Sequence, residues 1–291
     1  MDITTFMIAV YCLVEDFLAG KRLRKRGAAP TLPDSEVLTM EIVGEFLGID
    51  TEIGMFRYFR QYYADWFPKL LKIDRTTFTR QAANLWKVKQ SLHQEIVQKI
   101  PHDPYLSLVD SFPVPVCRFA RAYRCRSFGG VAAYGHDHVA RQTFYGFRAH
   151  LRLAWPGVIV DYVLAPANLA DTDGAEELFD GACGYVLADR NYWKPILFES
   201  WKEKGLYLLA PYKSAKREKQ PWPRFLIHAR YRIETVFAQL AERFHAKRVW
   251  ARDLWHLTSR WARKLLSHLL AVFFCFQLGL QPLSFSHLIS A

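Results

Sequence analysis

The spacing of apolar residues changes once along the chain, at His102-Asp103-Pro104. Before this tripeptide, apolar residues recur every three or four positions, as amphipathic helices require. After it come short apolar runs, beginning with LSLVDSFPVPV at 106–116, and a hairpin signal at Pro156-Gly157. A chain of 291 residues is long enough to hold both patterns as separate domains. We therefore predict an all-α domain over residues 1–103 and a mixed α/β domain over residues 104–291.

The first 103 residues carry several helix boundaries. Pro30 and Pro33 end an opening amphipathic helix, and Asp34 or Ser35 begins a second helix that runs toward Gly48. Asp74 can cap a further helix across RTTFTRQAANLWKVKQSL (75–92), which places two arginines near its start. Those arginines could contact DNA phosphates. The near-zero net charge of the domain leaves a structural or dimer-forming role equally open.

Positive charge is concentrated in one part of the chain. The formal net charge is +11, and residues 211–264 hold 14 Lys and Arg against four Asp and Glu. Such a segment favours a polyanionic partner, nucleic acid before membrane, with a solvated basic face as the alternative.

The five cysteines form no paired framework, which predicts a reduced, cytoplasmic protein. The C-terminal run LLSHLLAVFFCFQLGL (265–280) is too short and too interrupted to span a membrane, so we predict a buried helix.

Three carboxylates stand at informative positions. Asp110 interrupts the apolar strand SLVDSF, Asp189 ends the apolar strand YVLAD, and Glu234 lies in the helix RYRIETVFAQL. A carboxylate within an apolar strand is costly to desolvate unless it is paired or binds a metal. Carboxylates that converge at one edge of a sheet suit a hard divalent cation. Glu234 borders the apolar arc of its helix, so it can point along the packed interface or form an i, i+4 ion pair with Arg230.

Five stretches then form a recognisable order. They are DSFPVPVC (110–117), YGFRAHLRL (145–153), LAPANLADTDGAEEL (164–178), ADRNYW (188–193) and RIETVFAQL (232–240). In order and spacing they resemble the DDE transposases of bacterial insertion sequences, most closely the insertion-sequence 982 family, over roughly residues 30–275. The resemblance implies an RNase-H-like mixed sheet flanked by helices. It also implies metal-dependent cleavage of DNA followed by strand transfer.

The same resemblance implies site residues and partners. Asp110, Asp189 and Glu234 take the places of the acidic triad, which would hold two Mg²⁺ or Mn²⁺ ions. Arg230 suits the arginine that precedes the glutamate in related enzymes, whereas Ala241 stands where many of them have a lysine. The expected partners are double-stranded DNA, as terminal inverted repeats and target, and a second copy of the chain when DNA is bound. The expected location is the bacterial cytoplasm, on the nucleoid.

Basic and aromatic residues supply the candidate DNA contacts. The predicted DNA-binding residues are Arg75, Arg80, Trp193, Lys213, Lys216, Arg217, Lys219, Arg230, Arg232, Arg243, Lys247 and Arg248. Arg243 or Lys247 could take the role of the lysine missing at Ala241. Trp193 could stack on an unpaired base or belong to the core. Four further tryptophans, Trp222, Trp250, Trp255 and Trp261, alternate with arginines, which suits either a DNA surface or ordinary helix packing.

Other chemistry fits the sequence less well. Cys117, Cys125, His136 and His138 lack the spacing of a structural zinc site. His150 lies in an alternating strand and is better explained as a hydrogen-bonded histidine on a sheet face than as a ligand. Two alternative functions remain open: a non-catalytic DNA-binding protein derived from a transposase, and a metal-dependent nuclease without strand transfer.

Overall fold

The structure, a computed structural model, describes residues 1–24, 26–192, 195–211 and 223–289. The chain forms two compact units. The helical unit comprises Met1–Lys99 and Leu240–Ala291, and the sheet unit comprises Ile100–Gln239. The predicted division into domains at residue 103 remains a prediction. The compact units differ from it in one respect, because the C-terminal segment clusters with the first hundred residues.

The described elements of the helical unit are all helices. They are α1 (Ile3–Leu18), α2 (Asp34–Phe46), α3 (Glu52–Tyr62), α4 (Arg75–Asn84), α5 (Trp86–Lys99), α9 (Leu254–Gln277) and 3₁₀ turns at Pro68–Lys72 and Phe285–His287. Asp2 caps α1 and Asp74 caps α4, in each case by accepting backbone N–H groups of the first turn. Long-range pairing explains why α9 belongs here, since it packs against α2, α4 and α5. None of the described helices is long and apolar enough to cross a membrane.

The predicted helix over 75–92 is divided in two. The N–H of Leu85 donates to the carbonyl of Ala82 at 3.3 Å, which forms a tight turn between α4 and α5. The Ala82 carbonyl also accepts from Lys89 Nζ at 3.0 Å and from Ser259 Oγ at 3.0 Å. Side-chain hydrogen bonds, one of them from the distant Ser259, therefore stabilise this break, which explains why no proline or glycine marks it.

The sheet unit contains six described strands and three helices. They are β1 (Asp103–Cys117), β2 (Ala133–Asp137), β3 (Gln142–Trp155), β4 (Val158–Pro166), α6 (Asp171–Leu178), β5 (Gly184–Ala188), α7 (Pro195–Glu203), β6 (Leu206–Leu209) and α8 (Arg224–Glu242). The strand path is β2-β3-β1-β5-β6, and β4 also pairs with β3. Strand β1 is antiparallel to β3 and parallel to β5, and β5 is parallel to β6. The predicted mixed α/β architecture and the β3–β4 hairpin are confirmed.

Helices cover both faces of the sheet around β1. Successive side chains of a strand alternate between its faces. Phe112 of β1 lies with its ring centroid 5.3 Å from that of Phe237, which places α8 on the face that Phe112 shares with Asp110. Val109 points to the other face, where it packs in a core cluster with Leu178 of α6 and Trp201 of α7. The strand that carries Asp110 is thus central and covered on both sides.

Candidate functional site

Two aspartates meet where β1 runs beside the end of β5. Val109 and Ala188 are partners in the parallel ladder, so the next residues, Asp110 and Asp189, continue the same register. Neighbouring strands lie about 5 Å apart, and residues in register point to the same face. The sequence placed both residues in apolar strands, and pairing of those strands brings the two carboxylates together. We call Asp110 and Asp189 the aspartate pair.

The environment of Asp110 opposes its ionisation. Burial, and then the negative charges of Asp189 and Asp171, raise the pKa of Asp110. The Ser111 backbone N–H, which donates to Asp110 Oδ1 at 2.7 Å, and the Arg230 guanidinium act in the opposite direction. The net result of these effects is a pKa of about 7, so an added cation would favour the ionised carboxylate near neutral pH.

Helix α8 supplies one cation to the aspartate pair. Arg230 Nη2 lies 3.6 Å from Asp189 Oδ1, and both side chains are about one-third exposed. The predicted apolar arc of α8 is confirmed at Ile233 and Val236, which are buried. Arg230 therefore supplies positive charge beside the aspartate pair. Its attraction to Asp189 is weak, because the two groups are 3.6 Å apart and partly exposed to solvent.

Glu234 is not assembled with the aspartate pair. It lies one helical turn after Arg230 on α8 and is exposed. Within the residues that the structure describes, no three His, Cys, Asp or Glu side chains are close enough together to hold a metal ion. The structure thus brings together two of the three predicted acids and leaves the third apart.

A second group of polar side chains lies beside the pair. Arg148 Nη1 contacts Asp171 Oδ1 and Ser111 Oγ, each at 3.4 Å, and Arg148 Nη2 donates to the carbonyl of His136 at 3.0 Å. From the sequence, Asp171 is only part of the stretch LAPANLADTDGAEEL (164–178) and has no predicted role in the site. Its carboxylate is one of the charges that raise the pKa of Asp110, so it belongs to the electrostatics of the site. The sequence feature that could have indicated a role for Asp171 is the acidic motif LADTDG in which it lies.

His150 is buried but not hydrogen-bonded as expected. Its Nδ1 lies 4.0 Å from Asp171 Oδ1, and neither ring nitrogen has a hydrogen-bond partner among the described residues. A Cβ added at Gly174 would lie 2.6 Å from the imidazole, so the glycine allows α6 to approach the ring closely. Burial lowers the pKa of His150, although the charge of Asp171 opposes this. The prediction of a hydrogen-bonded histidine on the sheet face is therefore wrong about the hydrogen bond among the described residues.

Tyr192 was missed from the sequence. It lies in a 3₁₀ turn, Arg190–Tyr192, directly after Asp189 and is fully buried. Burial, and then the charges of Asp110 and Asp171, raise the pKa of Tyr192 well above its ordinary value. Its hydroxyl has no hydrogen-bond partner within the described parts of the chain. Tyr192 is therefore a buried, neutral phenol close enough to Asp110 and Asp171 for their charges to act on it.

The predicted DNA-binding residues separate into several environments. Arg232 lies over the Trp155 ring at 5.5 Å and Arg243 over the Phe46 ring at 5.6 Å, so both pack on aromatic faces within their own units. Lys247 is half-buried and Arg248 is exposed. Arg75 and Arg80 are exposed and line a cavity of the helical unit. The remaining five, Trp193, Lys213, Lys216, Arg217 and Lys219, lie outside the described residues.

The basic segment also contributes charge to the protein interior. Arg263 and Lys264 are fully buried in α9, and Arg263 Nε donates to Glu45 Oε1 at 2.6 Å. The excess of cations over 211–264 is therefore not all available to a polyanion. A basic surface that the sequence analysis did not single out lies instead on the sheet unit, where Arg121 and Arg124 are exposed beside Tyr123.

Cys117, Cys125, His136 and His138 lie in two separate contacts. Burial raises the pKa of Cys117 to about 11, and a side-chain hydrogen bond with Cys125 contributes. The rings of His136 and His138 pack with centroids 4.8 Å apart. These residues form two pairs, and neither is part of a metal-binding group in the described chain.

Comparison with known proteins supplies a family. A model described as "Transposase DDE domain" matches residues 102–249, which is just over half of the chain. The comparison with curated proteins found no match. Among solved structures, the chain is similar to a cryo-EM structure of the piggyBac transposase synaptic complex with hairpin DNA, with 13% identity and a TM-score of 0.36. That alignment covers 75% of this chain and 50% of the other, so the chain spans about half the length of that relative.

Proposed function

The chain belongs to the transposase DDE domain family, and from this premise we propose that it binds the ends of an insertion sequence and catalyses metal-dependent cleavage and strand transfer of DNA. The observation that carries the proposal is the aspartate pair: Asp110 of β1 and Asp189, directly after β5, follow the last paired residues of two neighbouring strands, and their charges interact. The matched region, 102–249, contains Asp110, Asp189 and Glu234. An RNase-H-like core is supported by the central strand β1, with an antiparallel neighbour on one side and a parallel neighbour on the other.

The aspartate pair has the chemistry that a divalent cation requires. Carboxylate oxygens are the ligands that Mg²⁺ and Mn²⁺ prefer, and the raised pKa of Asp110 indicates a site short of positive charge. Asp110, Asp189 and Glu234 are the residues proposed to hold two ions. When bound, such ions activate the attacking oxygen and neutralise charge on the leaving oxygen. The chain's own part is to fix two ligands on the sheet and to offer Arg230 as a fixed cation beside them.

DNA contacts are proposed for both units. Support in the sheet unit comes from Arg230, from Arg232 and from the exposed Arg121 and Arg124. In the helical unit it comes from Arg75, Arg80 and Arg248. Lys213, Lys216, Arg217 and Lys219 are proposed contacts on sequence grounds. An all-α domain that binds DNA or assists assembly is supported by the helical elements of residues 1–99.

A homodimer on DNA is also proposed. Cutting and joining two ends requires two active sites in one complex. Exposed aromatic side chains offer an interface in the segment from Phe56 to Phe67, where Tyr62 is 63% and Trp66 47% exposed. A mass measurement of the protein on paired ends should give two copies, and a monomer on paired ends would contradict this. The bacterial, nucleoid-associated location belongs to the same proposal.

A cleavage and joining assay tests the function. Full-length protein is incubated with a duplex that carries the ends of its encoding element, a supercoiled target and Mg²⁺ or Mn²⁺. We expect cut ends and joined products from the wild type and neither product from Asp189→Asn or Glu234→Gln. Glu177→Gln, an exposed acid of α6, is the matched control and should retain both activities.

A non-catalytic DNA-binding protein is the second candidate, because Glu234 is not grouped with the aspartate pair. End binding without any cleavage by the wild type would favour it. Cleavage without joining would instead identify a metal-dependent nuclease. If Glu234→Gln alone remained active, Glu234 would not be the third ligand and Asp171 would be the next acid to test.

A further inference from the structure

The helical unit contains a cavity that the proposed cleavage site does not use. Its volume is about 650 Å³, and its lining includes Arg75, Arg80, Trp250, Arg252, Trp255 and Arg260. All of these residues belong to the helical unit, and none belongs to the segment that holds the aspartate pair. The cavity is the size of a small-ligand site and too small for a duplex.

The positive charge in this cavity is only partly neutralised. Arg75, Arg80 and Arg252 are exposed and form no ion pair with any residue that the structure describes. The two acids of the lining are already engaged. Glu52 pairs with Arg260 at 2.6 Å, and Asp253 caps α9 through the N–H of His256. Three arginines are therefore available for an anion.

Trp250 is held at the cavity in a costly conformation. Its side chain is 64% exposed, and its φ of 57° lies in the left-handed region that disfavours bulky residues. Two hydrogen bonds fix Trp250: its Nε1 donates to Asp50 Oδ2 at 3.0 Å, and its carbonyl accepts from Arg260 Nη1 at 2.6 Å. Arg260 Nη1 also donates to the carbonyl of the preceding residue, Val249, at 3.3 Å. An exposed indole that is fixed in a strained backbone is expected at a binding site rather than at an ordinary surface.

A second tryptophan provides another aromatic surface. Trp255 lies in the first turn of α9, is 39% exposed and packs against the His256 ring at 4.8 Å. By contrast, Trp261, two turns further along the same helix, is fully buried. Of the four tryptophans that alternate with arginines in the sequence, Trp261 thus belongs to the core, Trp250 and Trp255 line the cavity, and Trp222 lies outside the described residues.

We propose that this cavity binds an unpaired nucleotide of a DNA strand. Its base stacks on Trp250 or Trp255, and the phosphates on either side contact Arg75, Arg80 and Arg252. A single strand is bound by aromatic side chains, on which its bases stack, together with cations that contact its phosphates. The bases of a duplex are paired, so its phosphates would need only the cations. The proposal rests on the proposed function in one respect, that DNA is the substrate.

Binding measurements test the proposal. Fluorescence anisotropy compares a fully paired duplex with the same duplex carrying a three-nucleotide single-stranded end, using full-length wild type and Asp189→Asn without metal. Both proteins should prefer the DNA with the unpaired end. Trp250→Ala should weaken binding to that DNA by about tenfold while changing duplex affinity less than about twofold. Tyr105→Ala removes another aromatic residue that is 64% exposed and should change neither.

Two further variants separate stacking from support of the fold. Trp250→Phe keeps a ring but removes the donor to Asp50, so it should retain most of the preference for unpaired DNA. Equal losses in Trp250→Phe and Trp250→Ala would assign Trp250 a structural role and overturn the proposal. Arg252→Ala should lower the slope of log affinity against log salt by about 0.7 for the single-stranded end, and Arg26→Ala, another exposed arginine, should not.

The outcomes distinguish this proposal from the proposed function. Equal affinity for the two DNAs, with end cleavage intact, would overturn only the nucleotide site. Failure to bind either DNA would overturn both. Competition by dAMP as strongly as by a short oligonucleotide would show that the cavity binds free nucleotides rather than a strand, which would also contradict the proposal.

Discussion

The helical unit and the sheet unit both remove carboxylates from water, but they compensate them differently. In the helical unit the charges form what we call the buried ion cluster: Glu41, Glu45, Glu52, Lys89, Arg260, Arg263 and Lys264. Its Arg263–Glu45 pair is 2.6 Å long and nearly inaccessible to water. In the sheet unit, Asp110 faces Asp189, whose ion pair with Arg230 is 3.6 Å long and one-third exposed. Close cations hold the first set of acids, and the second set lacks them.

The pKa values express the same difference. Burial acts to raise the pKa of Glu52, yet Arg263 and Arg260 overcome it and hold the value at about 2. Burial, with the nearby acids adding to its effect, raises the pKa of Asp110 to about 7. Removing one partner from a buried, matched ion pair leaves an uncompensated charge and destabilises the fold, whereas buried carboxylates placed beside one another suggest a site for an additional cation.

The largest expected effect is on stability, from breaking the buried ion cluster. Arg263→Met should lower the free energy of unfolding of the helical unit by about 3–5 kcal/mol, because Glu45 and Glu52 would lose a buried partner. Urea unfolding measures the change. Arg230→Met is the matched control in the sheet unit and should cost less than about 1 kcal/mol, since its ion pair is partly solvated. Equal losses would mean that the two sets of charges do not differ as described.

The second effect is on catalysis and leaves stability unchanged. Asp110→Asn should reduce cleavage by about 10²–10³-fold, because it removes an anionic ligand from the proposed metal site. It should not lower the melting temperature, because ionised Asp110 is unfavourable in the folded state. Glu45→Gln should show the opposite pattern, with lower stability. An Asp110→Asn protein that cut DNA at the wild-type rate would make this aspartate structural.

The third effect appears in acid. Unfolded Glu52 takes up a proton near its ordinary pKa of 4.5, whereas folded Glu52 remains ionised down to about 2. Between these values the unfolded state binds more protons, so stability is lost as the pH falls. The contribution of Glu52 should decrease by about 2 kcal/mol between pH 6 and pH 3. The charges that act on it are Arg260 and Arg263 of α9, with Lys89 and Glu41 nearby.

Unfolding at the two pH values checks this prediction. Glu52→Gln should be less stable than wild type at pH 6 but should lose about 2 kcal/mol less on acidification. Glu177→Gln, with an exposed side chain, should follow the wild type at both pH values. Identical acid losses in wild type and Glu52→Gln would show that Glu52 is not held by its arginines.

Local signals in the sequence predicted most of the elements. Asp74 marked the start of α4, Pro156-Gly157 marked the β3–β4 hairpin, and the helix predicted across RYRIETVFAQL lies within α8. The division between α4 and α5 was not predictable, because it depends on Lys89 and on Ser259, which is distant in sequence. The membership of α9 in the helical unit was missed for the same reason.

The site was predictable only where strands determine it. Asp110 and Asp189 stood out as acids in apolar strands, and parallel pairing then brings them together. Tyr192 and Asp171 act on them through tertiary contacts that no spacing in the sequence reveals. The basic charge of 211–264 was misleading in part, because Arg263 and Lys264 compensate glutamates of α2 inside the helical unit.

The smallest expected effect tests the aspartate pair without DNA. If the pair lacks a cation, Mg²⁺ should bind the folded protein and stabilise it by about 1.4 kcal/mol at ten times its Kd. Differential scanning calorimetry with increasing MgCl₂, at constant ionic strength, should show a rising Tm for wild type and none for Asp110→Asn or Asp189→Asn. Arg263→Met should keep the Mg²⁺ shift despite its lower Tm, because its acids lie in the other unit. An equal shift in Asp189→Asn and wild type would place Mg²⁺ elsewhere, and the contrast between matched and unmatched carboxylates would then lose its functional meaning.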